Sequence, residues 1–278
     1  MPDRYVLVGG NVSSSPTPRM MNAAIEALGL DAVYEASNVP AAELGKAFAA
    51  LAESGASGAN VTIPHKIAIT RFLDSLEGAA AETGAVNTLK RDGDGYTGHN
   101  TDVDGILGPL ISRGRARVGR AAVVGTGGAA RAFCGAMHAL GCAEIVVISR
   151  DPIRAEGFMS SMRAAFPATR TEFASAENVR ASAPEILFNA SPAGAGGIPL
   201  PAGVTAFFEA RPLVFDAVYA PVETDLTRRA RSFGCEVIYG HEMLLYQASR
   251  SLEIWTGRTP PLGVMKSVLL RTLGVSAD

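Results

Sequence analysis

Apolar residues recur along this chain in two rhythms that alternate almost to its end. Arg4 to Gly10, with a short apolar run, and Ala32 to Val39, where apolar residues are interrupted by Glu35, Ser37 and Asn38, read as strands. Met20 to Leu30 and Ala42 to Glu53 instead place apolar residues at three- and four-residue spacing, the mark of helices with one buried face. Asn60 to Ile63 adds a short strand that Pro64 stops. Asn87 to Lys90 and Tyr96 to His99 flank Arg91-Asp92-Gly93-Asp94-Gly95, which predicts a hairpin turn. The hairpin breaks the alternation and gives the first third of the chain a character of its own.

A second pattern opens at Arg120. Ala121 to Val124 predicts a strand, Ala129 to Leu140 a helix and Glu144 to Ser149 a returning strand. Ala129, Ala132, Phe133, Ala136, Met137 and Leu140 share one helical face, and Gly141 supplies the stop. Further strands are expected at Glu185 to Asn189, Leu213 to Val218 and Glu236 to Tyr239, with helices around Ile153 to Ala165 and Asp225 to Phe233. Two helices, Glu242 to Thr256 and Leu262 to Leu273, end the chain without new strands. Such alternation argues for an α/β protein with largely parallel sheets.

Composition narrows the picture. At 278 residues and 47% hydrophobic the chain can bury two ordinary cores, so two domains are expected. The 25 basic and 27 acidic residues leave a net charge of -2 and no basic stripe, which argues against nucleic acid as a partner. Apolar runs are strand-sized, short of the roughly 20 residues that span a bilayer. The opening Met-Pro-Asp-Arg carries no leader pattern, so a cytoplasmic location is expected. Cys134, Cys142 and Cys235 lack metal-ligand spacing and read as reduced core residues; His65 and His138 have no acidic or cysteine partner at such spacing, so no metal is implied. Only four basic residues are lysines (Lys46, Lys66, Lys90 and Lys266), so a lysine here invites a specific reason.

Gly125-Thr126-Gly127-Gly128-Ala129-Ala130 stands at the strand-to-helix junction and approaches the G-x-G-x-x-G/A dinucleotide fingerprint. Gly125 would permit the tight turn, Gly127 the approach of a pyrophosphate, and Ala130 close packing of helix on strand. The helix start adds free amides and a favourable dipole. The next strand ends in Ser149-Arg150-Asp151, with Arg154 one turn on. Planar guanidinium groups suit the 2'-phosphate of NADP, while the carboxylate of Asp151 leaves NAD possible.

Asn60-Val61-Thr62-Ile63-Pro64-His65-Lys66, Gly84-Ala85-Val86-Asn87-Thr88 and Gly98-His99-Asn100-Thr101-Asp102 put a lysine, an aspartate and amides at segment ends, where active sites of open sheets collect. With these motifs the chain resembles the shikimate dehydrogenase family nearly end to end. The likeness continues through Gly125 to Ala132, Asn189-Ala190-Ser191-Pro192, Asp216-Ala217-Val218-Tyr219 and Gly240-x-x-Met243-Leu244-x-x-Gln247-Ala248.

The resemblance implies two domains: an N-terminal α/β substrate-binding domain formed by residues 1–103 plus 240–278, and an NADP-binding Rossmann domain at 104–239, with the C-terminal helices returning to the first. It implies Lys66 and Asp102 as the catalytic pair. Thr62, Asn87 and Gln247 would hold ring hydroxyls, Ser15 and Thr17 the carboxylate, and Tyr219 would line the site. Gly125, Gly127, Gly128, Ala129, Arg150, Arg154, Asn189, Ser191, Val218 and Gly240 would bind the cofactor. Its activity would be reversible, NADPH-dependent reduction of 3-dehydroshikimate to shikimate, by a monomer or homodimer. The chemistry is sound on its own terms, because a positioned ammonium can stabilise the oxygen charge that develops as hydride reaches a ketone carbon.

Departures from the family pattern keep alternatives open. The loop usually written H-S-x-S-P reads Ser14-Ser15-Pro16-Thr17-Pro18, and the usual methionine of N-x-T-P-x-G-M is Ala195. His241, Glu242 and Tyr246 are unusual neighbours of Gln247. A quinate/shikimate or aminoshikimate-type paralogue is one alternative, and a catalytically silent NADP-binding sensor is another. A sensor would need the glycine loop but neither Lys66 nor Asp102.

Overall fold

Glycine-punctuated strand and helix patterns become two sheets in the computed structural model, which describes residues 2–176, 179 and 182–275. The chain divides into two compact units, Met1–Gly105 with Leu244–Asp278 and Ile106–Met243. Where the sequence suggests changes of unit at 103/104 and 239/240, both changes fall a few residues later and inside helices.

In the first unit the elements run β1 (Asp3–Gly9), α1 (Thr17–Ala27), β2 (Ala32–Asn38), α2 (Leu44–Glu53), β3 (Gly58–Val61), β4 (Ser75–Leu76), α3 (Ala79–Thr83), β5 (Thr88–Asp92) and β6 (Gly95–His99). The strands form a six-stranded sheet in the order β2-β1-β3-β5-β6-β4. β1 is parallel to β2 and β3, whereas β5 is antiparallel to both β3 and β6. The expected hairpin closes with Asp92 opposite Gly95, and Gly93 takes a φ of 59° that an L side chain would strain. Val6, Val8, Val61, Leu89 and Tyr96 build the core on one face with Leu44, Leu51 and Ile69. One topological consequence matters for function. The carboxyl ends of β1, β3 and β6 and the amino end of β5 share one edge of the sheet, where every candidate segment of this unit begins or ends.

The helix α4 (Asp102–Ser112) is not legible in the sequence, because Gly105, Gly108 and Pro109 read as breakers. It nevertheless starts with two acidic residues, Asp102 and Asp104, that suit the positive end of its dipole. The second unit continues with β7 (Arg120–Val124), α5 (Gly128–Ala139), β8 (Glu144–Ser149), α6 (Pro152–Ala165), β9 (Arg170–Ser175), β10 (Ile186–Asn189), β11 (Leu213–Asp216), α7 (Asp225–Ser232) and β12 (Val237–Ile238). Its sheet, in the order β12-β11-β10-β7-β8-β9, is parallel throughout. This is the doubly wound order, and its switch point lies between β7 and β10, beyond whose carboxyl ends ligands bind. Strand β9 escapes a reading of the sequence: only Thr171 and Ala174 of its six residues are buried, so it lacks a regular two-residue alternation.

Phe133 stacks on Phe188 at 4.7 Å and Phe188 meets Phe215 edge-on at 5.1 Å, so the helix α5 is fixed to the sheet by aromatic contact. Truncating fully buried Phe188 to alanine would cost about 3–5 kcal/mol. All three cysteines are buried. Cys134 is at the centre of α5, and burial pushes its thiol up to about 12. Two further helices, α8 (Gly240–Thr256) and α9 (Leu262–Leu273), complete the fold, and α9 lies against α1 in the first unit. Among the described residues no helix is long and apolar enough to cross a membrane, and no group of three or more His, Cys, Asp or Glu could hold a metal ion.

Candidate active site

Lys66 reaches the shared edge of the first sheet through a loop held tightly on both sides. Thr62 donates its backbone N–H to Val8, His65 donates to the carbonyl of Thr62, and Val86 donates to the carbonyl of Lys66. Buried His65 bonds the carbonyl of Val39 through Nε2 at 2.7 Å, so it anchors the loop. Asp102 enters from the first turn of α4, where the side chain of Asn100 accepts its backbone N–H. Lys66 Nζ then lies 2.6 Å from Asp102 Oδ2. Asp102 is only 3% exposed at its side chain and Lys66 15%, so water can screen this pair little.

The second oxygen of Asp102 is engaged by Asn87, whose Nδ2 lies 3.0 Å from Oδ1. The same nitrogen faces Gln247 Oε1 at 2.9 Å and Thr101 Oγ1 at 2.9 Å. Which way the Asn87 amide points is settled by a donor that cannot act otherwise: the backbone N–H of Thr101 donates to Asn87 Oδ1 at 2.7 Å. Asn87 therefore presents hydrogens toward Asp102 and Gln247. Four of the residues singled out in the sequence, Lys66, Asp102, Asn87 and Gln247, are thus joined directly.

Ser15 and Thr17 make a separate pair at the start of α1. Ser15 Oγ donates to Thr17 Oγ1 at 3.0 Å, which leaves the hydroxyl hydrogen of buried Thr17 available as a donor. Thr62 follows β3 at the same sheet edge, and Gly9 is needed beside it because any β-carbon there would collide with the Thr62 methyl. Tyr219 belongs to the other unit, half-buried in the loop after β11.

In the second unit Gly125 takes a φ of 105°, as the tight turn after β7 requires. Gly127 is exposed, and a β-carbon on it would meet nothing within 4 Å. The first helical bond of α5 runs from Arg131 N to Gly127 O, so the amides of Gly128, Ala129 and Ala130 are left to face a ligand. Arg150 and Arg154 are exposed, and among the described residues neither is ion-paired. Asp151 has another occupation. Its Oδ1 caps α6 by accepting from the N–H groups of Ile153 and Arg154, both at 3.0 Å. The cradle and its two unpaired guanidinium groups fit a dinucleotide with an additional phosphate.

Three residues expected to touch the cofactor are used by the protein itself. Asn189 Nδ2 donates to Ala193 O at 2.9 Å and Asp216 Oδ1 at 3.0 Å, while its Oδ1 accepts from Ser191 Oγ at 2.7 Å and Ser191 N at 3.2 Å. The amide is saturated, so Asn189 and Ser191 shape the loop after β10 with their side chains. Gly240 packs so closely on the carbonyls of Ala217 and Val218 that a β-carbon would collide with them. Sequence reasoning misses Asp216 as the hub of this region. Fully buried, it accepts from Thr224 Oγ1 at 2.6 Å and from Val218 N and Asn189 Nδ2, each at 3.0 Å. Burial nonetheless pushes its carboxyl up to about 6 against the lowering effect of those bonds.

The first unit matches the model of the shikimate dehydrogenase substrate binding domain over residues 7–89, and residues 240–270 match that of the shikimate 5'-dehydrogenase C-terminal domain. A shikimate dehydrogenase (NADP(+)) of Moorella thermoacetica is 38% identical over 98% of this chain and 94% of its own. Shikimate 5-dehydrogenase from Thermus thermophilus, solved with NADP(H) and shikimate, superposes with a TM-score of 0.83 at 30% identity, covering 98% of this chain and 100% of the other. Quinate dehydrogenase from Corynebacterium glutamicum, solved with NAD, gives 0.87 at 29% identity over 97% and 99% of the two chains.

Proposed function

The chain belongs to the shikimate dehydrogenase family, and we propose that it catalyses the reversible, NADPH-dependent reduction of 3-dehydroshikimate to shikimate. The observation that carries this reading is the 2.6 Å contact between Lys66 and buried Asp102, set among Asn87 and Gln247. A silent sensor would need the glycine loop but neither member of this water-poor ammonium–carboxylate pair, whose two charges are costly to bury.

When bound, NADP supplies the acceptor for the hydride of the carbinol carbon, and NADPH returns it. The proton is the protein's concern. In oxidation the Lys66 amine takes it from the substrate hydroxyl; in reduction the ammonium gives it back to the oxygen. Asp102 holds the Lys66 nitrogen in place with Oδ2 and is itself aimed by the Asn87 amide on Oδ1. Gln247 and Thr62 supply polar contacts for ring hydroxyls, and the free hydrogen of Thr17, with Ser15, suits the carboxylate. Asn87, expected to join Gln247 and Thr62, has its amide hydrogens on Asp102 and Gln247 and acts by holding those two side chains. Tyr219 is assigned a further substrate contact, on the strength of the family motif that carries it.

On the cofactor side, the amides of Gly128 and Ala129, with Gly125 and Gly127 clearing the way, would hold the pyrophosphate. Arg150 and Arg154 would hold the 2'-phosphate. Asp151, engaged as a helix cap, supports the preference for NADP over NAD. Asn189, Ser191, Val218 and Gly240 contribute by holding the loops beyond β10 and β11. On this reading the enzyme works in the cytoplasm on small molecules, without nucleic acid, as a monomer or homodimer.

Incubating the protein with 3-dehydroshikimate and NADPH and identifying the product by NMR tests the proposal. Shikimate is expected; unchanged 3-dehydroshikimate would refute it.

A further inference from the structure

Beneath the Lys66–Asp102 pair lies a buried polar network that the reaction scheme does not use. Tyr34 and Ser251, 2% and 0% exposed, come from β2 and α8. Tyr34 OH donates to Asn60 Oδ1 at 2.8 Å. Asn60 turns its Nδ2 to the carbonyl of Asn87 at 3.1 Å, to Thr88 Oγ1 at 3.0 Å and to Ser251 Oγ at 2.9 Å. A carbonyl can only accept, so the Asn60 amide has one orientation and the Tyr34 hydroxyl must be its donor. Ser251 gives its hydrogen to the carbonyl of Gln247 at 3.0 Å and so meets Asn60 as an acceptor. Thr88 gives its hydrogen to Asn87 Oδ1 at 3.0 Å. The two amides, Asn60 and Asn87, thereby have fixed directions, while the hydroxyls of Thr88, Thr101 and Ser251 also face one another at 2.8–3.2 Å, where either partner can donate. The network ends at Asn87, which aims two hydrogens at Asp102 and Gln247.

We infer that Tyr34 and Ser251 are positioning residues that set the aim of Asn87 and Gln247, and through them the Lys66–Asp102 pair, without touching substrate or cofactor. This rests on the function proposed above. Without the Tyr34 hydroxyl, Asn60 loses the donor that matches its orientation; without the Ser251 hydroxyl, the backbone of Gln247 loses its tie to β3. Either loss lets Asn87 swing away from Asp102. A misaimed proton acceptor slows proton transfer while leaving the NADP contacts as they were.

The test compares wild type, Tyr34→Phe, Ser251→Ala and the double variant in shikimate oxidation, with folding checked by circular dichroism. Each single variant is expected to lose about tenfold in kcat, keep its KM for NADP and show a larger solvent deuterium isotope effect on kcat, because proton transfer becomes more rate-limiting. The double variant should lose less than the product of the two single losses, as members of one network do. A simple structural defect would reduce active protein and leave the isotope effect unchanged. Unchanged kcat in both singles, or multiplying losses with an unchanged isotope effect, would overturn the inference. If Tyr34→Phe fails to fold, Ser251→Ala alone decides by its kcat and isotope effect. A folded wild type without any shikimate oxidation would overturn the proposed function itself, and this inference with it.

Discussion

Asn87 and Asp102 stand 15 residues apart in sequence and meet at 3.0 Å, amide nitrogen to carboxylate oxygen. The contact leaves Asp102 one oxygen for Lys66 and gives Lys66 one place to be. It also joins two strand ends, since Asn87 precedes β5 and Asp102 follows β6 across the hairpin. The hairpin that interrupts the α/β rhythm thus has a chemical purpose: it turns the chain so that both residues arrive at the edge where β3 delivers Lys66.

Lys66→Ala and Asp102→Asn are each expected to lower kcat for shikimate oxidation by a factor on the order of 10² or more, as when a general acid/base pair is broken. Circular dichroism should show an intact fold in both. Near-normal turnover in either folded variant would exclude the roles assigned.

Arg150 and Arg154 carry the second prediction. Replacing both with alanine should raise KM for NADP much more than for NAD, because only NADP brings a phosphate for charge-assisted bonds. Equal losses for the two cofactors would show that the arginines do not read the phosphate.

Thr17 bears on substrate scope. Its methyl stiffens a side chain whose hydroxyl is aimed by Ser15, and one methyl in a pocket is worth about 1–3 kcal/mol of discrimination. Shikimate should be the better substrate by kcat/KM, with quinate oxidised detectably and less well after Thr17→Ser. An unchanged ratio of the two acids in the variant would remove Thr17 from the account of specificity.

Asp216 predicts a pH dependence of stability. Its carboxyl stands at about 6 in the folded chain, above an ordinary carboxylate value of 3.8, so folding favours its protonated form. The stability contributed by protonation is fully present below the unfolded value and is lost as pH rises through about 6. Wild type should therefore gain up to about 2–3 kcal/mol from this group between pH 7.5 and 4. Urea unfolding of wild type and Asp216→Asn at both pH values isolates it: wild type should gain on the variant by that amount as the pH falls. A pH-independent difference would show that Asp216 titrates normally.

Much of this is readable in the sequence, and the reasons are local. Glu144 to Ser149 and Leu262 to Leu273 match their elements to the residue because an unbroken apolar run and a clean helical period leave no competing pattern. Lys66, Asp102 and Asn87 are visible as polar residues at strand ends. The helix α4 and the strand β9 are not, since Pro109 and the exposed middle of β9 oppose their own elements and only tertiary packing overrides them. Asn60 gives one weak signal, a polar residue inside an otherwise apolar strand, whereas Ser251 sits among the polar residues Ser249, Arg250 and Glu253 and gives none. They lie 191 positions apart, a distance no local pattern can bridge. The motif around Asn189 gives identity without direction: the internal hydrogen bonds of its side chain, which hold the loop after β10, cannot be read from the sequence.

The central claim is that this chain moves a hydride between shikimate and NADP. Absorbance at the reduced-nicotinamide band, followed after mixing the protein with shikimate and NADP, then with NAD, and again with quinate, tests it most directly. The account predicts fast reduction of NADP by shikimate, slower reduction of NAD, and a weaker response to quinate. No absorbance change with shikimate and either cofactor, from protein verified as folded, would contradict it.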